Sequence, residues 1–111
     1  MAARHFSLTL TGAVQRLTLM LGADDQTPGG KNDLAYRQLI FATDPANAAA
    51  VYVGATSSVS STDHGFALDP TQATARDRES IGPFDTGPVR LSDFYVLGTN
   101  AERLHVLGIP F

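Results

Sequence analysis

Residue types that can perform hydrolytic chemistry occur close together near the middle of this chain. They are Ser60, Ser61, Asp63 and His64, and Asp85 or Asp93 could supply a more distant acid. A Ser-His-Asp triad is defined by its geometry, however, and a short polar loop often contains these residue types by chance. The Gly-x-Ser-x-Gly turn that presents the nucleophile in many hydrolases is also missing. We therefore predict no catalytic residues and no enzymatic activity.

Candidate ligands for a metal ion or a phosphate are present but lack the required spacing. The chain has histidines at positions 5, 64 and 105, and no two of them have the spacing of a zinc site. The acidic pair Asp24-Asp25 is followed by Gln-Thr-Pro-Gly, which does not match the alternating oxygen ligands of an EF-hand. Gly29-Gly30-Lys31 lacks the spacing of a phosphate-binding loop. We predict neither a metal nor a cofactor.

The charge balance argues against nucleic acid and membranes as partners. Eight Lys and Arg residues stand against 11 Asp and Glu, a formal net charge of −3, and the basic residues form no stripe along the sequence. The longest apolar run, at 39–42, is far shorter than the roughly 18 residues that span a bilayer. The N-terminal residues lack the apolar segment of a signal peptide, so we expect a soluble protein that is made in the cytoplasm and not exported by that route. Only 17% of residues are charged, as expected when neighbouring molecules cover part of the surface.

Apolar residues alternate with polar ones in the first part of the chain, which is typical of half-buried strands. Phe6, Leu8 and Leu10 form one such series, and Leu17, Leu19 and Leu21 form the next. The short connection at Gly12 predicts that the two strands form a β-hairpin. Residues 22–33 carry Asp, Asn, Gly and Pro without a large apolar side chain, so they predict a long exposed loop.

Further short strands are predicted at 34–42, 51–54, 65–68 and 94–98, with an edge pairing at 79–81. Three consecutive apolar residues at 39–41 indicate burial on both sides of their strand. The segments 94–98 and 103–107 predict a C-terminal hairpin, with a tight turn at Ser92-Asp93 before it. Residues 46–50 are too few to hold a helix. The sequence thus predicts one all-β domain over residues 1–111, an antiparallel β-sandwich or jelly roll of seven to eight short strands.

Two passages of the chain together form one layout of short strands, glycines and aromatic residues. The first is VYVG at 51–54, a hydroxyl-rich stretch around Val59, and GFALDP at 65–70; the second is VRLSDFYVLGT at 89–99 with LHVLG at 104–108. These passages resemble the small β-sandwich virion structural proteins of tailed bacteriophages. Residues 1–48 lie outside the match. The resemblance implies a capsid decoration (cement) protein in the virion, binding the major capsid protein or other virion proteins. It also implies a homo-oligomer, with a trimer as the first expectation by analogy.

Two alternatives to decoration remain open from the sequence. One is a head-tail connector or tail-associated virion protein, and the other is a small carbohydrate or host-recognition module. A surface function requires exposed residues that bury much area while making directional hydrogen bonds, as Tyr and Arg do. The predicted contact residues are Tyr36, Arg37, Tyr52, Arg90, Tyr95 and Phe111. For Tyr52 and Tyr95, an amphipathic position at the border of the core is an equally good interpretation.

Overall fold

The computed structural model of the protein describes residues 3–17, 35–70, 77–84 and 87–110. These residues contain eight β-strands, a short 3-10 helix at Leu91–Asp93, and no α-helix. The strands are β1 (Arg4–Thr9), β2 (Gln15–Arg16), β3 (Gln38–Thr43), β4 (Val51–Gly54), β5 (Phe66–Leu68), β6 (Arg78–Ile81), β7 (Tyr95–Leu97) and β8 (Arg103–Ile109).

The strands form two antiparallel sheets of four. The first sheet has the order β1-β8-β3-β6 and the second the order β2-β7-β4-β5. Four of the pairings are nested along the chain, β1 with β8, β2 with β7, β3 with β6 and β4 with β5. Nested pairs that alternate between two sheets are the topology of a jelly roll. This confirms the predicted all-β sandwich and selects the jelly roll.

Alternating side chains from both sheets form the core. Along β3, for example, Leu39 and Phe41 are fully buried, while Ile40 between them is half-buried on the outer face. The Phe41 ring lies 5.5 Å from that of Phe66 and 5.2 Å from that of Phe94, so it joins the first sheet to the second. The expected burial of β3 on both sides is therefore wrong, because its outer face is only partly covered.

Both predicted hairpins are also wrong. β1 pairs with β8 in the first sheet, whereas β2 pairs with β7 in the second, so the turn at Gly12 crosses between sheets. β7 and β8 likewise lie in different sheets. Among the described strands, only β4 and β5 are neighbours both in sequence and in a sheet. Two half-buried strands can face one core either from opposite sheets or as neighbours in the same sheet. The alternation of apolar and polar residues is the same in both arrangements and does not distinguish them.

The remaining elements agree in part with the sequence. The edge pairing at 79–81 is confirmed as β6, which lies at the edge of the first sheet. β3 begins at Gln38, later than predicted. The predicted tight turn before β7 is the 3-10 helix, where Asp93 Oδ2 accepts a hydrogen bond from the Arg90 N–H at 2.9 Å. The predicted loop at 22–33 lies outside the described residues, as do Leu19 and Leu21.

Candidate protein-binding face

The outer face of the second sheet gathers two of the predicted contact residues. Arg16 on β2 stands opposite Tyr95 on β7, and Tyr52 on β4 stands opposite Leu97 on β7. Residues directly opposite in an antiparallel pair point to the same side of the sheet. Their neighbours Val53 and Val96 are fully buried in the core, so this set points outward. We call Arg16, Tyr52, His64, Tyr95 and Leu97 the tyrosine face.

Arg16 and Tyr95 form a fixed pair at one end of the tyrosine face. The guanidinium carbon of Arg16 lies 5.5 Å from the centroid of the Tyr95 ring, within the range of a cation–π interaction. The Arg16 Nε–H also donates a hydrogen bond to the backbone oxygen of Ser92 at 2.9 Å. Ser92 is buried in the 3-10 helix, so the turn that precedes β7 positions the arginine.

Tyr52 and His64 form a second pair on the same face. Their ring centroids are 5.0 Å apart with an interplanar angle of 45°. His64 Nδ1 lies 3.0 Å from the backbone oxygen of Ser60. A carbonyl oxygen only accepts, so Nδ1 carries the proton of this hydrogen bond and Nε2 is an acceptor in the neutral ring. His64 lies near the end of the loop between β4 and β5, and the path of this loop places its ring beside Tyr52.

Three polar groups of the tyrosine face have no hydrogen-bond partner among the described residues. Tyr52, Tyr95 and Arg16 are half-buried, whereas His64 is exposed. Within the part of the chain that the structure describes, the hydroxyls of Tyr52 and Tyr95 and the Nε2 atom of His64 make no hydrogen bond. A partner that covers this face would therefore meet unpaired donors and acceptors beside aromatic rings, a combination typical of protein interfaces.

The other predicted contact residues lie elsewhere, and one of them is not a surface residue. Tyr36 is fully buried and forms an isolated bridge with Val89, so its prediction as an exposed contact is wrong. Arg37 is exposed just before β3, and Arg90 is half-buried before the 3-10 helix. Phe111 lies outside the described residues.

Arg16 and His64 were not among the predicted contact residues. Arg16 joins the face through its register with Tyr95, and His64 joins it through its ring contact with Tyr52. The only sequence signal was the outward position of Arg16 in the alternation of residues 16–21. That signal is shared by every polar residue of a half-buried strand.

The serine, aspartate and histidine at positions 60–64 are not arranged as a catalytic triad. His64 is bound to the Ser60 backbone oxygen, and the Ser60 hydroxyl accepts a hydrogen bond from the Asp63 N–H at 3.0 Å. These are the contacts of a tight polar turn. Asp85 lies outside the described residues, and Asp93 is bound to the Arg90 N–H.

A different hydrogen-bonded series lies on the outer face of the first sheet. Ser7 Oγ is 3.0 Å from His105 Nδ1, and His105 Nε2 is 2.9 Å from Asp44 Oδ2. Ser7 and His105 are directly opposite on β1 and β8, and Asp44 follows β3. The cleft next to this series is lined by Asp44 and Asn47 and includes neither Ser7 nor His105. The series connects three strands of the sheet, and we assign it that structural role.

Asp44 is the strongest acceptor in this series. Hydrogen bonds from the Ala46 N–H at 2.8 Å and from His105 lower the pKa of the Asp44 carboxyl, and the nearby charges of His105 and Arg103 act in the same direction. The carboxylate therefore remains charged at neutral pH and accepts from both neighbours. His105 Nε2 donates to it, so in the neutral ring Nδ1 accepts from the Ser7 hydroxyl.

The described residues do not assemble a metal site. His5 and His105 lie on the first sheet and His64 lies beside the second, while Asp24 and Asp25 fall outside the described residues. In residues 3–17, 35–70, 77–84 and 87–110, no three His, Cys, Asp or Glu side chains form a group that could hold a metal ion. The same residues include no helix of the length and apolarity needed to cross a membrane.

The described residues thus form a jelly roll of eight strands, with Tyr52 and Tyr95 on one outer sheet face. Comparison with protein-family models, with curated proteins and with solved structures finds no match to this chain.

Proposed function

We propose that the protein is a structural protein of a tailed-phage virion, a decoration protein that binds the assembled capsid shell and stabilises it. The observation that carries the proposal is the tyrosine face. Tyr52 and Tyr95 stand on one outer sheet face with hydroxyls that bind no described residue. The jelly-roll topology supports it, because capsid domains of viruses share this architecture. The resemblance of residues 51–70 and 89–108 to small virion proteins gives further support.

The physics of a lattice explains how one small domain can stabilise a shell. If each copy contacts two or more capsid subunits, the second contact becomes intramolecular once the first has formed. The weak contacts together therefore give strong binding to the assembled shell. A free subunit offers only one such contact and is bound weakly. Any molecule that binds only the assembled state stabilises that state by linkage. Oligomerisation of this chain, with a trimer as the expected form, would multiply the contacts further.

Shells that lack the protein test this proposal directly. They would be mixed with purified protein, sedimented, and heated beside untreated shells. We expect co-sedimentation at a copy number on the order of hundreds per particle and a higher temperature of shell disruption. Free capsid subunits should bind far more weakly. Failure of the protein to co-sediment would reject a shell role, and about a dozen copies or fewer would favour the head-tail or tail position.

One observation favours a carbohydrate-binding module as a second candidate. The rings of Tyr52 and His64 lie side by side next to a loop rich in hydroxyls, with Thr56, Ser58, Ser60 and Thr62 engaged in short-range hydrogen bonds. Jelly rolls also occur in lectins. Titration with neutral oligosaccharides distinguishes the candidates, because sugar binding would perturb Tyr52 and His64 without any capsid protein present.

A further inference from the structure

Arg16 is a half-buried cation that the described structure holds in place without a counter-charge. Its Nε–H is bound to the backbone oxygen of Ser92, and its guanidinium group stands over the Tyr95 ring. Neither contact supplies a negative charge. Among the residues that the structure describes, no carboxylate comes within ion-pair distance of Arg16. Partial burial of a charge without a partner is costly, so a carboxylate placed here would gain binding free energy.

The acids closest to the tyrosine face along the chain do not neutralise this charge. Asp93 directly follows Ser92, but its carboxylate is bound to the Arg90 N–H at 2.9 Å. Asp63 directly precedes His64 in the exposed loop beyond β4. The strands of the tyrosine face itself carry Arg16 as their one formally charged residue. In the described strands, this face thus carries one positive charge and no negative charge, in a protein whose formal net charge is −3.

We infer that the tyrosine face binds an acidic protein surface, with a partner Asp or Glu carboxylate placed beside Arg16 and Tyr95. The identity of that partner as the capsid shell rests on the proposed function. Because Nε is already bound to Ser92, the terminal Nη groups of Arg16 are the donors left for the carboxylate. The Tyr95 hydroxyl supplies a further donor. The flanking Leu97 and Tyr52 side chains cover the contact and exclude water from it.

The local geometry reduces the cost of binding at this position. An arginine on an open surface loses side-chain freedom when it forms an ion pair. Arg16 has lost much of that freedom already, since its Nε and its guanidinium plane are fixed by Ser92 and Tyr95. A preorganised side chain retains more of its interaction free energy as affinity.

A phosphate backbone fits these observations less well than a protein carboxylate. Nucleic-acid affinity depends on neutralising several phosphates, and the strands of this face offer one arginine. The surrounding Tyr52, Tyr95 and Leu97 side chains are typical of a protein interface.

The first test compares two arginines that lie on opposite sheets. Arg16→Gln should weaken binding to shells by roughly tenfold or more, the effect of losing a charge-assisted hydrogen bond. Arg78→Gln is the matched control, because the Arg78 side chain is 75% exposed on the first sheet and makes only a 3.8 Å contact with Asp77. Added salt should weaken the binding of wild type and of Arg78→Gln to shells. It should weaken the binding of Arg16→Gln to shells much less. Arg16→Lys should retain the salt dependence.

Wild-type-like binding and salt dependence of a folded Arg16→Gln variant would overturn the inference while leaving the proposed function intact. Thermal unfolding of each variant checks that it is folded. Tyr95→Phe, which removes only the hydroxyl, should lose several-fold in affinity without the loss of salt dependence.

The second test needs no shell and separates this inference from the proposed function. The labelled wild-type protein is titrated with hexaglutamate and, as a control, with hexaglutamine, and followed by NMR. We expect hexaglutamate to shift the Arg16 Nε–H and Tyr95 ring signals, and Arg16→Gln to reduce its affinity by roughly tenfold. Equal binding of hexaglutamine, or no change at Arg16, contradicts the inference. If wild-type protein fails to bind shells but responds to hexaglutamate, the proposed function fails and the acidic-partner inference stands.

Discussion

The Tyr36 ring lies directly against Gly108 of β8, in space that a side chain at position 108 would occupy. A Cβ atom built on Gly108 would lie 2.7 Å from Cδ1 of the ring and would also collide with the rest of that ring edge. Tyr36 is fully buried there, just before β3, and its backbone pairs with Val89. A residue predicted to bind partners is thus part of the packing at the end of the sandwich.

This contact predicts that Gly108→Ala destabilises the protein by about 1–3 kcal/mol, because the added methyl group overpacks the core. Replacing the ring should remove the conflict. The double variant Gly108→Ala with Tyr36→Leu should therefore be less destabilised than the sum of the two single changes. Urea unfolding of the four proteins measures this coupling, and strict additivity would show that the ring and Gly108 are not in contact.

Adjacent residues of β7 provide a test of the two sides of the second sheet. Val96 is fully buried and Leu97 is half-buried on the tyrosine face. Val96→Asp should prevent folding, since an unpaired buried charge costs several kcal/mol against a total stability of roughly 5–15 kcal/mol. Leu97→Asp should remain folded. Far-ultraviolet circular dichroism and thermal melts check both, and a cooperative melt of Val96→Asp would contradict the assigned direction of β7.

The sequence was sufficient to predict the strands but not the sheets. The alternation of apolar and polar residues located β1, and the turn residues separated β4 from β5. Sheet membership depends on which distant strands pair, as β1 pairs with β8 across almost the whole chain. The tyrosine face could be predicted only in part for the same reason. Tyr52 and Tyr95 were selected by residue type, whereas Arg16 depends on its register with β7 and His64 on the path of a loop.

Buried polar contacts illustrate the same limit. Asn47 was predicted only as part of a segment too short for a helix. In the structure it is buried, its Nδ2 donates to the Arg103 backbone oxygen at 2.7 Å, and its Oδ1 accepts from the Arg103 N–H at 3.0 Å. Local sequence patterns do not contain a partner 56 positions away.

The Asn47 contact predicts that Asn47→Ala destabilises the protein by about 1–3 kcal/mol. The Arg103 N–H would lose its acceptor in a part-buried position, and the Arg103 carbonyl oxygen would keep only the 3.4 Å hydrogen bond from the Asp44 N–H. Asn47→Asp keeps the acceptor and loses the donor, so its effect at neutral pH should differ from that of alanine. Thermal and urea unfolding measure both changes. A stability of Asn47→Ala equal to that of wild type would indicate that water replaces the side chain at little cost.

The Asp44 carboxylate predicts how stability changes in acid. Its folded-state pKa is lowered, first by the hydrogen bond from the Ala46 N–H and then by that from His105. A carboxyl with a lowered pKa stabilises the folded state at pH values above its unfolded pKa of about 4, and this contribution is lost as the pH falls through the folded-state value. Asp44→Asn removes the titration, so wild type should exceed it in stability at pH 7 and the difference should shrink below about pH 4.

Asp63→Asn is the matched control, because the Asp63 side chain is exposed and its carboxylate binds no described residue. Urea midpoints of the three proteins between pH 7 and pH 3 provide the measurement, and a difference between wild type and Asp44→Asn that stays constant over this range would contradict the assigned role of Asp44.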